Sequence, residues 1–382
     1  MSPRRRRVLA GVGTAATAGT ALLDQTWFAE QATFEPRTAG WTTLGGGPGR
    51  RRHAPDASPP TAEATRRWAV TPPTEVDRTR LAVADGAAYL LDRGGVTAFD
   101  AADGTRLWRV AGRPNTTVPV PTVVAAGDTV IVPAGDRTLG VDAERGTTRW
   151  VRTAPERFGS SVVVGGTLVG RGENAMVAVA TETGYRHERL GPRAVPVAFA
   201  DGRLFACPDD ERIAAYDRRG ERLWRTRVDA KFGTPDGVAA TGDRIVVGAN
   251  PAVALDAADG NERWRREVPE TDETFTARPA TDGDRVYLDV PSADESVVLD
   301  AATGAVVWRA DRSLGTPTVA GDVVYWAGDW ITVTRATTGE RVGRFGGDTG
   351  DPFSVVAAVG DRLYAARHGG PDRPALVAWG EP

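Results

Sequence analysis

Short apolar and β-branched runs, separated by tight polar turns, cover the chain from about residue 64 to its end. Between residues 116 and 152 these runs are Val118–Val124, Thr129–Val132, Thr138–Val141 and Thr147–Val151. Period-two alternation continues along the rest of the chain, and no stretch after residue 64 has the helical period of 3.6. The pattern predicts an all-β protein built from units of four short strands joined by hairpins.

One turn motif recurs in these units, at intervals of about 40 residues, a spacing typical of repeat architectures. It reads Asp-x-x-x-Gly, followed four residues later by Trp, and it predicts a hairpin whose glycine adopts positive φ. One copy, at Asp217, is a residue shorter. The intact copies contain the glycines Gly104, Gly146, Gly220, Gly260 and Gly304 and the tryptophans Trp108, Trp150, Trp224, Trp264 and Trp308. Two degenerate copies have Glu188 and Gly343 in place of the tryptophan.

A repeated four-stranded sheet of this length is typical of a β-propeller blade. Counting outer strands through the tryptophan position, from Trp68 onward, gives eight blades. The C-terminal segment contains three predicted strands and lacks the fourth. We predict that Ala64–Val70 supplies this strand, so that an eight-bladed ring closes without exposed sheet edges.

The motif Ala98-x-Asp100-x-x-x-Gly104-x-x-x-Trp108 resembles the blade motif of propellers with pyrroloquinoline-quinone-like (PQQ-like) repeats. The copy around Trp264 matches every position, whereas Gly140 and Val298 replace the first alanine in two others. The resemblance covers roughly residues 64–382. It implies that each tryptophan docks on the glycine turn of the neighbouring blade and on the alanine of its own motif. The motif residues are therefore predicted to be structural.

The family that the motif resembles includes both enzymes and proteins without catalytic activity. Quinone-dependent dehydrogenases of the family hold PQQ between a tryptophan and a disulfide of adjacent cysteines, beside a calcium ion and a catalytic aspartate. Cys207 is the only cysteine here, so this disulfide cannot form. The chain is more similar to the non-catalytic branch, exemplified by the propeller lipoprotein of bacterial outer-membrane assembly, although it lacks that protein's lipid-anchoring cysteine. We expect no catalytic residues and no cofactor.

The N-terminus has the layout of an export signal: Arg4–Arg7 is followed by a mildly apolar stretch, Val8–Leu23. Arg5-Arg6-Arg7-Val8-Leu9 resembles the twin-arginine motif, which implies export by that route. Because Val8–Leu23 is short for a membrane span and no clear cleavage site follows it, cleavage and anchoring remain alternatives. We divide the chain into a signal or anchor with a linker (1–40), a Gly/Arg/Pro-rich lead-in (41–63) and the propeller (64–382).

Composition adds few candidates for chemistry. The net charge of −3 gives no argument for nucleic acid. The three histidines, His53, His187 and His368, have no metal-ligand spacing, and the acidic runs beginning at Asp209 and Glu270 lack a calcium-loop pattern. We expect no metal site, solvated acidic loops and an inert, buried Cys207. We also expect Arg50-Arg51-Arg52 to be solvated in a flexible lead-in.

Function is therefore expected to depend on binding. The leading hypothesis is an exported, non-catalytic and monomeric ring that binds a partner protein at the membrane or cell surface. Trp326 and Trp330 flank the Gly328-Asp329 turn, outside the docking register, and are candidate partner contacts. Packing in the core of this blade is nevertheless the favoured interpretation of both. A sensor that binds a small molecule or glycan in the central channel is the second hypothesis, and a PQQ-dependent dehydrogenase is the third.

Overall fold

The computed structural model describes residues 40–43, 45–76, 80–112, 123–153, 157–228, 237–267, 277–347, 351–367 and 373–382. Within these ranges the strands form eight sheets, each built on four antiparallel strands, and two of the sheets have a fifth short strand at the inner edge. The first strands of successive blades contact one another and line the centre of the ring. The protein is an eight-bladed β-propeller, as predicted.

The strands of the first four blades follow the order inner, second, third and outer. Blades 1 and 2 consist of Arg80–Ala84, Ala87–Asp92, Gly95–Asp100 and Arg106–Ala111, and of Val124–Ala126, Thr129–Ala134, Arg137–Asp142 and Thr148–Thr153. Blades 3 and 4 consist of Arg157–Val164, Thr167–Arg171, Met176–Ala180 and Arg186–Leu190, and of Val195–Ala200, Arg203–Asp209, Arg212–Tyr216 and Arg222–Arg227.

The remaining blades keep this order. Blades 5 and 6 consist of Val238–Ala240, Arg244–Val247, Ala252–Asp256 and Glu262–Arg266, and of Ala280–Thr281, Arg285–Val290, Glu295–Asp300 and Val306–Ala310, with a 3-10 turn at Pro291–Ala293. Blades 7 and 8 consist of Thr316–Ala320, Val323–Ala327, Ile331–Arg335 and Arg341–Phe345, and of Phe353–Val359, Arg362–Arg367, Leu376–Gly380 and Thr65–Val70.

The outer strand of blade 8 comes from the N-terminal part of the chain. Thr65–Val70 pairs antiparallel with Leu376–Gly380, and Trp68 lies opposite Ala378. The predicted ring closure is therefore confirmed. The pairing joins the two ends of the propeller, so that the last blade has four strands like the others.

The core lies between blades, and this explains the apolar pattern. Every residue of Ala87–Asp92 is buried, because neighbouring blades cover both faces of the sheet. The outer strand Arg106–Ala111 buries only Trp108 fully. Inner and middle strands therefore have continuous apolar runs, and outer strands alternate apolar and charged residues.

The ring has two different faces. We call the end with the turns between inner and second strands and between third and outer strands the hairpin face. The opposite end, with the turns between second and third strands and the connections between blades, is the loop face. The described part of the chain has no helix long and apolar enough to cross a membrane.

Candidate functional site

Each motif tryptophan lies flat against a glycine turn of the next blade. A Cβ at Gly304 would lie 2.8 Å from Trp264 Cδ2, and a Cβ at Gly146 would lie 2.6 Å from Trp108 Cγ. Trp264 Nε1 donates to the Ala301 carbonyl at 2.9 Å, in the same turn that the ring covers. The glycine is needed for this close approach and for its left-handed φ of 71°.

A β-bulge follows the third-strand residue that pairs with each tryptophan. Ala98 lies opposite Trp108, and the register shifts at the next residue, Phe99. Bulges redirect a side chain, and here they follow the position from which the indole reaches the next blade. Where Gly140 replaces the alanine, Trp150 comes closer, since a Cβ there would lie 2.0 Å from its Cε2.

In two blades an arginine beside the tryptophan bridges two aspartates, and we call this arrangement the arginine clasp. Arg263 lies 2.9 Å from Asp243 and 2.8 Å from Asp256, and Arg149 bridges two aspartates of blade 2 in the same way. The hydrogen bond from Arg149 lowers the pKa of Asp142. Burial acts in the opposite direction at Asp243, but hydrogen bonds from Arg244 and Thr241 outweigh it and lower the pKa to about 2.

The lead-in fills the centre of the ring at the hairpin face. Gly40–Trp41 pairs with the inner strand of blade 1, and His53–Ala54 pairs in parallel with the inner strand of blade 7. Between these two short strands, main-chain carbonyls of the lead-in accept hydrogen bonds from the inner strands of other blades. Trp41 is 1% exposed. The described residues of this segment thus pack against the inner strands of several blades.

The expectation that the arginine run is solvated is wrong. Arg50 is 5% exposed and Arg52 is 2% exposed. Arg50 Nη2 donates to the Ser161 carbonyl on the inner strand of blade 3, at 3.1 Å. The run is buried because the lead-in passes through the channel, where the blades surround it.

Of the two candidate contact residues, Trp326 is in the core and Trp330 is half-buried. Trp326 is 0% exposed, and its Nε1 donates to Thr334 Oγ1 at 2.9 Å. Its ring packs edge-on against Trp308, with centroids 5.9 Å apart. Trp326 is therefore packed in the core, as the favoured interpretation had it, and the candidate partner contact at this position is wrong.

Trp330 lies on the loop face. Its ring covers Gly347, where a Cβ would lie 2.0 Å from Trp330 Cε2. The Arg344 guanidinium lies 4.3 Å from the centroid of the ring, in cation–π contact. The two side chains form a small platform that keeps part of the indole accessible. We call Trp330 and Arg344 the Trp–Arg platform.

The remaining candidate residues lie on strands or loop-face turns, or outside the described residues. Cys207 is 6% exposed in the second strand of blade 4, and burial raises its pKa to about 12. Asp209 and Asp210 are exposed in a loop-face turn, as expected. His187 lies on an outer strand. His368 and the acidic run Glu270–Glu273 lie outside the described residues.

His53 lies in the short strand paired with blade 7. Burial lowers its pKa, and the charge of Arg51 acts in the same direction. Across the described ranges, no three His, Cys, Asp or Glu side chains come together in a group that could hold a metal ion. The chain also does not fit PQQ as the quinone-dependent family members hold it, because the lone Cys207 has no cysteine beside it.

The bulged hairpins, docked tryptophans and ring closure define a propeller with PQQ-like repeats. The family model described as outer membrane protein assembly factor BamB matches residues 92–188 and 209–370, well over half of the chain. The chain belongs to this family.

Solved structures agree on the fold. BamB from Moraxella catarrhalis has a TM-score of 0.62 and 18% identity, covering 84% of this chain and 98% of that chain. Quinohemoprotein alcohol dehydrogenase from Comamonas testosteroni has a TM-score of 0.64 and 13% identity, covering 96% and 84%. The computationally designed Ika8 protein has a TM-score of 0.62 and 12% identity, covering 83% and 99%. A search among curated proteins gives no match.

Proposed function

We propose that the protein is a non-catalytic, extracytoplasmic scaffold that binds a partner protein at the membrane or cell surface. The observation that carries the proposal is the filled centre of the ring, within a family described by an assembly factor. Since the protein's own main chain occupies the channel at the hairpin face, binding there would require displacing it. The loops and outer surfaces remain available, and these are the usual binding surfaces of a rigid scaffold.

The Trp–Arg platform is the part of that surface that we assign to the partner. Trp and Arg are the residue types most enriched at interface hot spots. Trp330 is held in place by Gly347 below and Arg344 above, so that little side-chain entropy is lost when a partner covers it. Its position on the loop face keeps it away from the lead-in, which occupies the hairpin face.

The non-catalytic part of the proposal is supported by chemistry. Cys207 is buried and its raised pKa keeps the thiol protonated, so it is a poor nucleophile. A dehydrogenase remains the competing function because such enzymes share the fold. Reconstitution with PQQ and calcium, followed by dye-linked oxidation of alcohols and sugars, separates the two functions. Stoichiometric PQQ retention with substrate-dependent dye reduction would refute the scaffold proposal.

Export by the twin-arginine route is the second part of the proposal, and Arg5-Arg6-Arg7-Val8-Leu9 supports it. Replacing the motif arginines with lysine keeps the charge and is expected to leave the protein inside the cell. Fractionation with an antibody reports this directly. An unchanged distribution between fractions would contradict this route.

The main experiment is affinity purification from native membranes in mild detergent, followed by mass spectrometry. Wild-type protein is compared with a Trp330→Ala, Arg344→Ala variant, and with Leu223→Ala as the control. Leu223 is also exposed, at 49%, but lies on the outer strand of blade 4. We expect one stoichiometric partner that the platform variant loses and the control keeps. Equal recovery with all three proteins would remove the platform from the proposal.

A further inference from the structure

The central channel has the properties of a binding site for the main chain of a peptide. We propose that residues 40–43 and 45–54 are the resident ligand of this site, bound in cis, and that the ring holds them even when they are no longer covalently attached. This inference concerns the channel alone and is independent of the proposed partner.

The channel recognises the segment through its main chain. The inner strands of a propeller present sheet edges toward the centre, and edge N–H groups are ready to pair with another strand. Five such groups donate to carbonyls of the lead-in at 2.8–3.0 Å. The pairs are Ala125 to Thr42, Phe199 to Pro48, Ala240 to Gly49, Thr281 to Arg51 and Val319 to Arg52. They belong to five different blades, 2, 4, 5, 6 and 7.

The backbone of the segment adopts an unfavourable conformation where it meets the ring. Arg50 and Arg52 have φ of 51° and 49°, in the left-handed region that arginine rarely adopts. Such a conformation is unfavourable for a residue with a side chain and persists only where surrounding contacts hold it in place. Here, successive carbonyls reach blades 5, 6 and 7 in turn. The N–H groups of the two arginines donate within the segment, to the carbonyls of Gly47 and Gly45, so the ring and the segment's own turns hold this conformation together.

Two glycines of the segment show where the fit is tight. A Cβ at Gly49 would lie 2.6 Å from the Ala240 carbonyl of blade 5. A Cβ at Gly47 would meet nothing within 4 Å. Neither residue has positive φ, so alanine changes only the space occupied. Gly49→Ala and Gly47→Ala are thus a matched pair. Both replace a glycine of the segment by alanine, but only the change at Gly49 interferes with the contact to the ring.

The exposed turn at Pro55–Asp56 allows the ligand to be separated from the ring. A specific protease site inserted between these two residues in the full chain is cut after folding. The ring fragment retains Thr65–Val70 and hence its fourth strand in blade 8. Native mass spectrometry and gel filtration then measure whether the fragment that contains residues 40–55 stays bound.

We expect the fragment to remain bound, and the amides of Ala240, Thr281 and Val319 to stay protected from hydrogen exchange. A labelled synthetic peptide of residues 40–55 should replace it slowly. The Gly47→Ala peptide should compete like wild type, and the Gly49→Ala peptide at least tenfold more weakly. Because the peptides are added in trans, no variant ring has to fold.

Three results would overturn the proposal. The fragment could leave without any change in exchange at these amides, in which case the contacts do not hold it. The two alanine peptides could compete equally, which would mean that the close approach to blade 5 does not matter. The cut ring could unfold as the fragment leaves, and the segment would then be part of the core and not a ligand.

Discussion

The eight blade junctions are closed in two ways. Most are closed by a residue of the repeat motif itself, and the others lack that residue, one of them depending on residues far away in sequence. At six junctions an indole of one blade covers the glycine turn of the next. The pairs are Trp68–Gly104, Trp108–Gly146, Trp150–Gly184, Trp224–Gly260, Trp264–Gly304 and Trp308–Gly339. At the junctions after blades 3 and 7 the outer strand has Glu188 or Gly343 at this position.

The two junctions without tryptophan use different fillers. After blade 3, backbone approaches backbone: a Cβ at Gly220 would lie 3.1 Å from Leu190 Cα, and the ring of Tyr216 covers Gly191. After blade 7, the lead-in fills the space, since a Cβ at Gly343 would lie 1.9 Å from the Thr61 carbonyl. A tryptophan junction is thus sealed by its own repeat, whereas the junction after blade 7 depends on residues far away in sequence.

The largest expected effect is at the junction that the lead-in closes. Deleting residues 1–72 removes both the cover of Gly343 and the outer strand of blade 8, exposing a sheet edge. We expect aggregated protein in gel filtration, and a soluble monomer for the control deletion of residues 1–39, which spares both. A soluble, monomeric product of the longer deletion with an unchanged Tm would refute the non-local closure.

The next effect concerns a tryptophan junction. Trp264→Ala should lower the free energy of unfolding by ~3–5 kcal/mol, the usual cost of emptying a large buried aromatic site. Trp264 is 7% exposed. Trp330→Ala should cost only about 1 kcal/mol, because a half-buried ring loses mainly its cation–π contact with Arg344. Denaturant unfolding measures both. Equal losses would mean that Trp330 is as structural as Trp264.

A smaller effect separates the conformation of the glycine turn from its contact with the indole. Gly304 and Gly127 both have left-handed φ, 71° and 63°. Alanine at Gly127 meets open space, but at Gly304 it would displace the Trp264 ring. Gly304→Ala should therefore cost ~1–3 kcal/mol more than Gly127→Ala, the usual range for overpacking. If both variants lose the same stability, Gly304 is needed only for its positive φ and not for its contact with the indole.

The smallest effect is electrostatic, at the clasp of blade 5. The folded-state pKa of Asp243 is lowered from 3.8 to about 2, so its contribution is present above about pH 4 and is lost as the pH falls toward 2. Its side chain is 54% exposed, so we expect less than about 1 kcal/mol. Unfolding curves at about pH 7 and pH 3 should show a weaker pH dependence for Asp243→Asn.

The sequence predicted the parts of the fold that each repeat encodes by itself. Blade count, hairpin order and closure by Ala64–Val70 follow from the turn motif, because each copy specifies its own bulge and its own contact with the next blade. The sequence favoured burial of Trp326 but left an exposed position open, for a physical reason. Both faces of Val323–Ala327 are covered by neighbouring blades, so period-two alternation gives no indication of which side chain is exposed.

The lead-in was missed for another reason. Its arginines have the composition of a solvated tail, and it contacts the ring mainly through carbonyls, which every residue has. A hint was present in Gly49, whose lack of a side chain is required at one carbonyl of blade 5. The spacing of motifs along the sequence cannot reveal a binding site whose N–H groups lie on several different blades.

The strand that closes the ring is synthesised early, but its pairing partner is synthesised late. Thr65–Val70 leaves the ribosome before any complete blade, yet its partner Leu376–Gly380 is nearly the last segment made. Pro59 must likewise wait for Tyr325, whose hydroxyl donates to its carbonyl across 266 positions of sequence. Contacts of such separation form slowly, since a long loop must close before they stabilise anything. The nascent chain therefore carries its closing strand unpaired until translation is nearly complete.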